Sequence, residues 1–459
     1  MLQTIILNPS STHQDIEQVK QKILGIPTEK TSVEFILESQ NNIAVFETLF
    51  PALASHIGTV AVRIKDIKQQ SANDLRAGFS GLKNSFVNSV DLNLNKLIRK
   101  TGAELQQAFS GFIGSSVTAV TLSWNDLGKK SGAGLQQAFS GFIGTPVRSV
   151  ALSWNKFDKK TGEELGQALS GFIGSRVTSV DLSNNDFWQK NGIELHQAFK
   201  GFIGTLVNSV DLGWNKFSEK TGAELQQAFS GFIETSVRSV VLSWNGFGRK
   251  SGEELQQALS GFKGSLVNSV DLSWNCLWKI SGAELQQAFS GFIDSCVTSL
   301  NLSSNSFGVK SSAELQQAFF NLPATIRELD LSNNGLGNKS PEELVSIISA
   351  IPPTVTYINL GGNNLFQNKT PEARDALLKA LSPYNSHGRL NLDRNGERTA
   401  VRAASLLIDL VRQEKVSVDI ANEIASCLYS NRPSFFSANK IKSYQRQSQE
   451  TASVGITVY

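Results

Sequence analysis

The segment VTAVTLSWNDLGKKSGAGLQQAFSGFI, Val117 to Ile143, returns almost letter for letter from Val147, Val177, Val207, Val237, Val267 and Val297. The step is thirty residues every time. Self-similarity at a fixed period of this size constrains the fold more than any other feature, because it describes one supersecondary unit stacked on copies of itself. A chain of 459 residues would otherwise suggest several domains. An array instead grows in one dimension without enlarging a single core.

Each unit reads as strand, loop, helix. Val117, Val120, Leu122 and Leu127 are apolar around an amide at Asn125, in the order V-x-x-V-x-L-x-x-N-x-L. Val120 and Leu122 alternate with Thr121, which predicts a short strand facing inward at the first two. The helix is announced by a hydroxyl followed three residues later by a glutamate: Thr101/Glu104, Thr161/Glu164, Thr221/Glu224, Ser251/Glu254, Ser281/Glu284 and Ser311/Glu314. That spacing predicts reciprocal capping bonds at the first turn. Pro341 and Pro371 occupy the first helical position of later units, where a missing N–H is harmless. Leu135, Ala138, Phe139 and Phe142 form one apolar stripe. Gly144, Gly174, Gly204 and Gly264 follow where a left-handed residue is expected to end the helix. Ordering such a unit costs more than its own apolar burial returns, so no unit is expected to fold without its neighbours.

This pattern resembles the leucine-rich repeats, and its thirty-residue length with full helices resembles the ribonuclease-inhibitor type. The resemblance implies an α/β solenoid, a horseshoe with parallel strands on the concave face and helices on the convex face. It further implies that Asn125, Asn155, Asn185, Asn215, Asn245, Asn275 and Asn305 form a ladder bonded to the backbone of adjacent turns. The cysteine signature and tryptophan usage of ribonuclease inhibitor itself are absent, so the likeness is to the repeat type.

Four regions are expected. Residues 1–86 read as degenerate capping repeats, with Leu2, Ile5 and Leu7, then Phe35 and Leu37, then Val60 and Val62 keeping strand spacing, and helices over Gln14–Leu24 and Asn42–Ala54. Residues 87–382 are the regular repeats. Residues 383–431 hold a worn turn at Leu390, Leu392 and Asn395, followed by two closing helices around Val401–Val411 and Val416–Leu428. Residues 432–459 form a polar tail expected to be flexible. No cleavable signal peptide and no membrane-spanning helix are read. Cys276, Cys296 and Cys427 are too few and too irregular for a disulfide framework, which favours a reducing compartment.

Functional readings come from columns of equivalent residues. An outward strand position carries Asp91, Thr121, Ala151, Asp181, Asp211, Val241, Asp271, Asn301, Asp330 and Asn359, flanked mostly by serine. This polar, weakly acidic wall argues against nucleic acid, whose phosphates require positive charge. The net charge of +3 adds no argument for it. Five of the seven tryptophans, Trp124, Trp154, Trp214, Trp244 and Trp274, share the position before the ladder asparagine. Asn184 interrupts them, separating a pair from a triplet. Two compatible readings stand: a self-packed ladder copied by duplication, with rings about 5 Å apart, or an aromatic strip for a protein partner. Basic residues recur after the loop, at Arg99, Lys100, Lys129, Lys130, Lys159, Lys160, Lys190, Lys220, Arg249, Lys250, Lys279, Lys310 and Lys339. Beside Glu104, Glu164, Glu194 and Glu224 they read as a solvated rim of offset charge.

Catalytic signals are poor. His13, His56, His196 and His387 are scattered, and there is no phosphate loop, metal-spaced cluster or nucleophile with a base. Cys427 reads as a buried helix residue, and the C-terminal ubiquitin-ligase domain of some bacterial leucine-rich-repeat proteins does not fit. No enzyme activity, cofactor or metal is expected.

The chain is similar to the leucine-rich-repeat effectors that intracellular bacteria deliver through Dot/Icm type IV secretion. That resemblance implies a monomeric scaffold, secreted without a cleaved signal and acting in the host cytoplasm, with a host protein as partner. Partner contact is expected at the five-tryptophan column and at Asp181, Asp211 and Asp271, with no nucleic acid and no stable membrane insertion. The alternatives are a cytosolic ribonuclease-inhibitor-like regulator of eukaryotic type, or an enzyme with an unrecognised C-terminal activity.

Overall fold

The computed structural model describes residues 2–7, 18, 32–37, 59–64 and 70–395, apart from 84–86, 368, 386 and 387. Of the expected helix over Gln14–Leu24 only Gln18 is described, and it is helical. The expected helices over Asn42–Ala54, Val401–Val411 and Val416–Leu428, the polar tail and Cys427 lie outside the described residues.

One parallel sheet runs through all of it, its strands neighbouring each other in chain order. These are β1 (Leu2–Leu7), β2 (Ser32–Leu37), β3 (Thr59–Ile64), β4 (Val87–Asp91), β5 (Ala119–Thr121), β6 (Ser149–Ala151), β7 (Ser179–Asp181) and β8 (Ser209–Asp211). They continue as β9 (Ser239–Val241), β10 (Ser269–Asp271), β11 (Ser299–Asn301), β12 (Glu328–Asp330), β13 (Tyr357–Asn359) and β14 (Leu390–Asn391). Register follows the repeat: Val120 pairs with Val150, and Val150 with Val180. It slips only between β3 and β4, at Val60/Ala61.

Between strands the chain returns through helices α1 (Ala72–Ser80), α2 (Gly102–Phe109), α3 (Gly132–Ser140), α4 (Gly162–Ser170), α5 (Gly192–Lys200) and α6 (Gly222–Phe229). They continue as α7 (Gly252–Leu259), α8 (Gly282–Phe289), α9 (Ser312–Phe320), α10 (Pro341–Ala350) and α11 (Pro371–Leu381). Strands space at about 4.8 Å and packed helices at about 8–10 Å, so the strand side is the inner one. Capping boxes close at each hydroxyl–glutamate pair read from the sequence, and also at Asn191/Glu194 and Ser340/Glu343.

The core lies between strand and helix. Val120, Leu122, Leu127, Leu135, Phe139 and Phe142 are buried, as are their equivalents in the turns through Leu322. Phenylalanines stack along the array, Phe109 on Phe142 and Phe139 on Phe172, each pair at 4.8 Å. Glycines set how closely turns approach. A Cβ on Gly162 would stand 2.4 Å from the carbonyl oxygen of Glu194 in the next helix, and one on Gly141 would stand 2.6 Å from that of Gln106 in the previous one. Gly144, Gly174, Gly204 and Gly264 are left-handed as expected. They sit one short turn later than a helix C-cap, since Gly141 and Gly171 remain right-handed.

The asparagine ladder is continuous. Asn155 Oδ1 accepts from the backbone N–H groups of Asn125 (3.0 Å) and Leu127 (3.2 Å) in the previous turn. Its Nδ2 donates to the carbonyls of Leu122 and Leu152, both at 3.0 Å. The ladder runs on through Asn334 and Asn363 to Asn395, in the worn turn. Every buried amide in it is satisfied by backbone, which is what keeps it inside.

Candidate functional site

The ladder shapes the loop that carries the tryptophans. On either side of each ladder asparagine the backbone is left-handed: Trp124 has φ 58° and Asp126 φ 56°, and the same holds at Trp154/Lys156 and Trp274/Cys276. Non-glycine residues pay about 1 kcal/mol or more for this conformation. The amide bonds at Asn125 and its equivalents hold it in place. The result turns each indole out along the edge of the strand wall, with Trp124, Trp154, Trp214 and Trp274 exposed and Trp244 half-buried. The rings stack at 4.3 Å between Trp124 and Trp154, 4.4 Å between Trp214 and Trp244, and 4.6 Å between Trp244 and Trp274. All three pairs lie within 14° of parallel.

The acidic column lies on the strands just before that edge. Asp181 Oδ1 accepts from the N–H of Ser183, Asp211 from Gly213 and Asp271 from Ser273, each at 2.8 Å. Each carboxylate therefore shapes its own turn, and Asn301 and Asn359 make the same bond with an amide oxygen. Asp181 and Asp211 are half-buried, while Asp271 is only 3% exposed. The strands thus bring the five tryptophans and Asp181 and Asp211 together along one accessible margin. Asp271 sits deeper.

A family model of the leucine-rich repeat matches residues 325–347. The leucine-rich repeat-containing protein LegL7 from Legionella pneumophila has a crystal structure that superposes with a TM-score of 0.56 at 29% identity, over 70% of this chain and 98% of that one. No curated protein matches the sequence. The fold is a leucine-rich-repeat solenoid. Such an array suggests a protein–protein interaction scaffold.

One reading of the leucine-rich-repeat array needs correction. The basic row is two rows. Lys129, Lys159 and Arg249 are exposed as a rim should be. Lys100, Lys160, Lys190, Lys250 and Lys310 are buried, and Lys130, Lys220 and Lys339 half-buried. Their ammonium groups donate to the backbone carbonyl one turn back: Lys130 to Lys100, Lys190 to Lys160, Lys250 to Lys220 and Lys339 to Lys310. Several also meet the helix-start glutamate of their own turn, as Lys220 meets Glu224 at 2.9 Å. Burial pushes the Lys130 and Lys190 ammonium groups below the ordinary lysine range. Capping bonds hold the Glu104, Glu164 and Glu314 carboxyls below theirs. These lysines are a second internal ladder of the leucine-rich-repeat array and are closed to a ligand.

On the helix side Gln106 donates to Ser140 and Gln136 to Ser170, both at 2.9 Å. His196 replaces one such glutamine and meets Ser230 at 2.9 Å, so it is spoken for structurally. Among the described residues no group of His, Cys, Asp and Glu could hold a metal, and no helix is long and apolar enough to cross a membrane.

Proposed function

We propose that the array binds a protein through its strand face and the tryptophan edge, and that it serves as a bacterial effector acting on a host protein in the host cytoplasm. The observation that carries the binding reading is the run of stacked, exposed indoles beside a polar strand wall. Indole supplies large contact area with little conformational freedom to lose, which is why it anchors interfaces. The absence of lysine and arginine from the acidic strand column favours a protein over a nucleic acid. Likeness to the Legionella protein supports the effector reading. The scaffold is proposed to act as a monomer, delivered without a cleaved signal and without catalysis of its own.

The test is capture of host-cell proteins by the full chain and by a Trp214→Ala/Trp244→Ala variant, with far-ultraviolet circular dichroism on both. Lost capture with an unchanged spectrum is expected. Unchanged capture with a collapsed melting temperature would make the indoles structural alone. Delivery is tested separately, by fusing a translocation reporter to the chain with residues 440–459 deleted. Reduced translocation is expected if the polar tail carries the delivery signal, and undiminished translocation would place that signal elsewhere in the chain.

A further inference from the structure

The indole column is interrupted once, and the interruption has the features of a binding slot. At Asn184 the backbone keeps the left-handed turn, with φ 54°, and its N–H still donates to the next turn at Gly213 (3.1 Å). Only the ring is missing. Exposure shows what this leaves open. Trp244, stacked on both faces, is half-buried, whereas Trp154 (44%) and Trp214 (41%) match the column ends Trp124 (49%) and Trp274 (43%). Trp154 and Trp214 each stack on one ring neighbour, and neither has an aromatic ring on the side toward Asn184. Two strand spacings separate them, about 9–10 Å between ring planes, which leaves room for one planar group in contact with both.

The slot is polar where the rings are not. Asn184 holds the column position between the two rings, and its side chain makes no hydrogen bond to any described residue. Toward the strands stand the carboxylates of Asp181 and Asp211, each using Oδ1 to accept a turn N–H. Gly213, where the neighbouring turns carry Ser153, Ser183, Ser243 and Ser273, keeps the wall beside Trp214 low. The loop-side lysines are already engaged. Lys156 meets Asp126 at 2.6 Å, and Lys216 lies over the Trp188 ring at 5.4 Å and 3.4 Å from Asp186.

We infer that this slot receives an arginine side chain of the partner protein, its guanidinium plane layered between Trp154 and Trp214. The inference rests on the binding reading above and names the chemistry recognised there. A guanidinium is flat enough to stack, and positive charge suits both the ring faces and the nearby carboxylates. Its fork of N–H donors matches the amide oxygen of Asn184. An ammonium has the charge without the plane, and an indole has the plane without the charge.

The probe is the peptide acetyl-Gly-Arg-Gly-amide, compared with lysine, citrulline and tryptophan counterparts. Binding is read from the indole N–H resonances of the full chain. The arginine peptide is expected to shift the Trp154 and Trp214 resonances saturably and to leave Trp124 and Trp274 still. It should bind about fivefold more tightly than the citrulline peptide, the margin of an exposed cation–π contact, and more tightly than the lysine peptide, which has no plane to stack. Asp181→Asn with Asp211→Asn keeps the turn bond, as Asn301 and Asn359 show, and should weaken binding. Asn184→Trp completes the column and should abolish it, with thermal melting confirming the fold. An absent or unsaturable shift, an equal shift in Asn184→Trp, or preference for the tryptophan peptide would each overturn the inference. Partner capture separates the two levels. Loss in Trp214→Ala/Trp244→Ala but not in Asn184→Trp rejects the slot and keeps the edge, and survival in both rejects the edge.

Discussion

The ammonium of Lys190 donates to the backbone carbonyl of Lys160, thirty residues earlier, from a side chain that is only 2% exposed. A second bond reaches the carbonyl of Asp158 at 3.2 Å, and Glu194 lies 3.5 Å away. This lysine ties two turns and a helix start together. Ile280 is buried at the same position one unit along from Lys250, so the site also accepts an apolar chain of similar reach. Lys190→Ala removes both packing and donor and should cost about 2–3 kcal/mol, the range for orphaning buried partners. Lys190→Ile should cost less. Urea midpoints of the full chain measure both.

The asparagine ladder is expected to be less forgiving. Asn185→Ala strands the N–H groups of Asn155 and Phe157, both bonded to its oxygen. The carbonyls of Leu152 and Leu182 each lose one of two donors and keep Asn155 and Asn215 respectively. Two buried orphan donors alone imply a loss of about 3 kcal/mol. A melting temperature within a degree of the parent would contradict that role.

Close approach of helices gives a third expectation. At Gly162 a methyl group would meet Glu194 backbone atoms at 2.4 and 2.6 Å, and neither atom can move aside alone. Gly162→Ala should therefore destabilise by about 1–3 kcal/mol, although alanine is the better helix former. Gly134→Ala faces only a serine hydroxyl at 3.0 Å and is expected to be tolerated. Chemical denaturation of the two variants side by side provides the comparison.

Within the indole column, position decides the effect on stability. Trp244 stacks on Trp214 and Trp274, whereas Trp124 stacks on Trp154 alone. At about 0.5–1.5 kcal/mol per aromatic pair, Trp244→Ala should be more damaging than Trp124→Ala by roughly one such pair. The Trp244 Nε1–H is covered and meets no acceptor, so Trp244→Phe should recover part of the loss. Thermal melts of the three variants rank them.

Acid should loosen the array at its helix starts. Capping bonds lower the carboxyls of Glu104, Glu164, Glu284 and Glu314 in the folded chain. A carboxyl with a folded pKa below its unfolded value contributes stability that is fully present above the ordinary glutamate range. That contribution is lost as pH falls through and below that range. Urea midpoints should drop between neutral pH and pH about 3, and Glu164→Gln should flatten the drop.

Much of this was legible in the letters. The alternation around Val120 and Leu122 predicts the strand, and the hydroxyl–glutamate pairs predict the caps, because both obey local rules that stacking reinforces. Lysine was harder to place. Lys160 and Lys190 read as a rim because lysine is seldom buried, yet Ile280 in the same column was a sign that the position faces inward. Aspartate misled for a related reason. Asp271 looked like surface charge, but the exchange of aspartate for Asn301 and Asn359 in that column marks an oxygen acceptor for a turn. The left-handed backbone of the tryptophans has no signal in the residue type at all, since indole does not favour that conformation.

Since Gly162 meets Glu194 as Gly132 meets Glu164, Gly222 meets Glu254 and Gly282 meets Glu314, most joints in the regular region repeat one contact. Such a chain can shed or gain a whole period by recombination and reseal without a scar. What it cannot shed unnoticed is the period containing Asn184, because excising it would splice Trp154 directly beneath Trp214. In a ruler of uniform gradations, that single residue is the mark from which distances are counted.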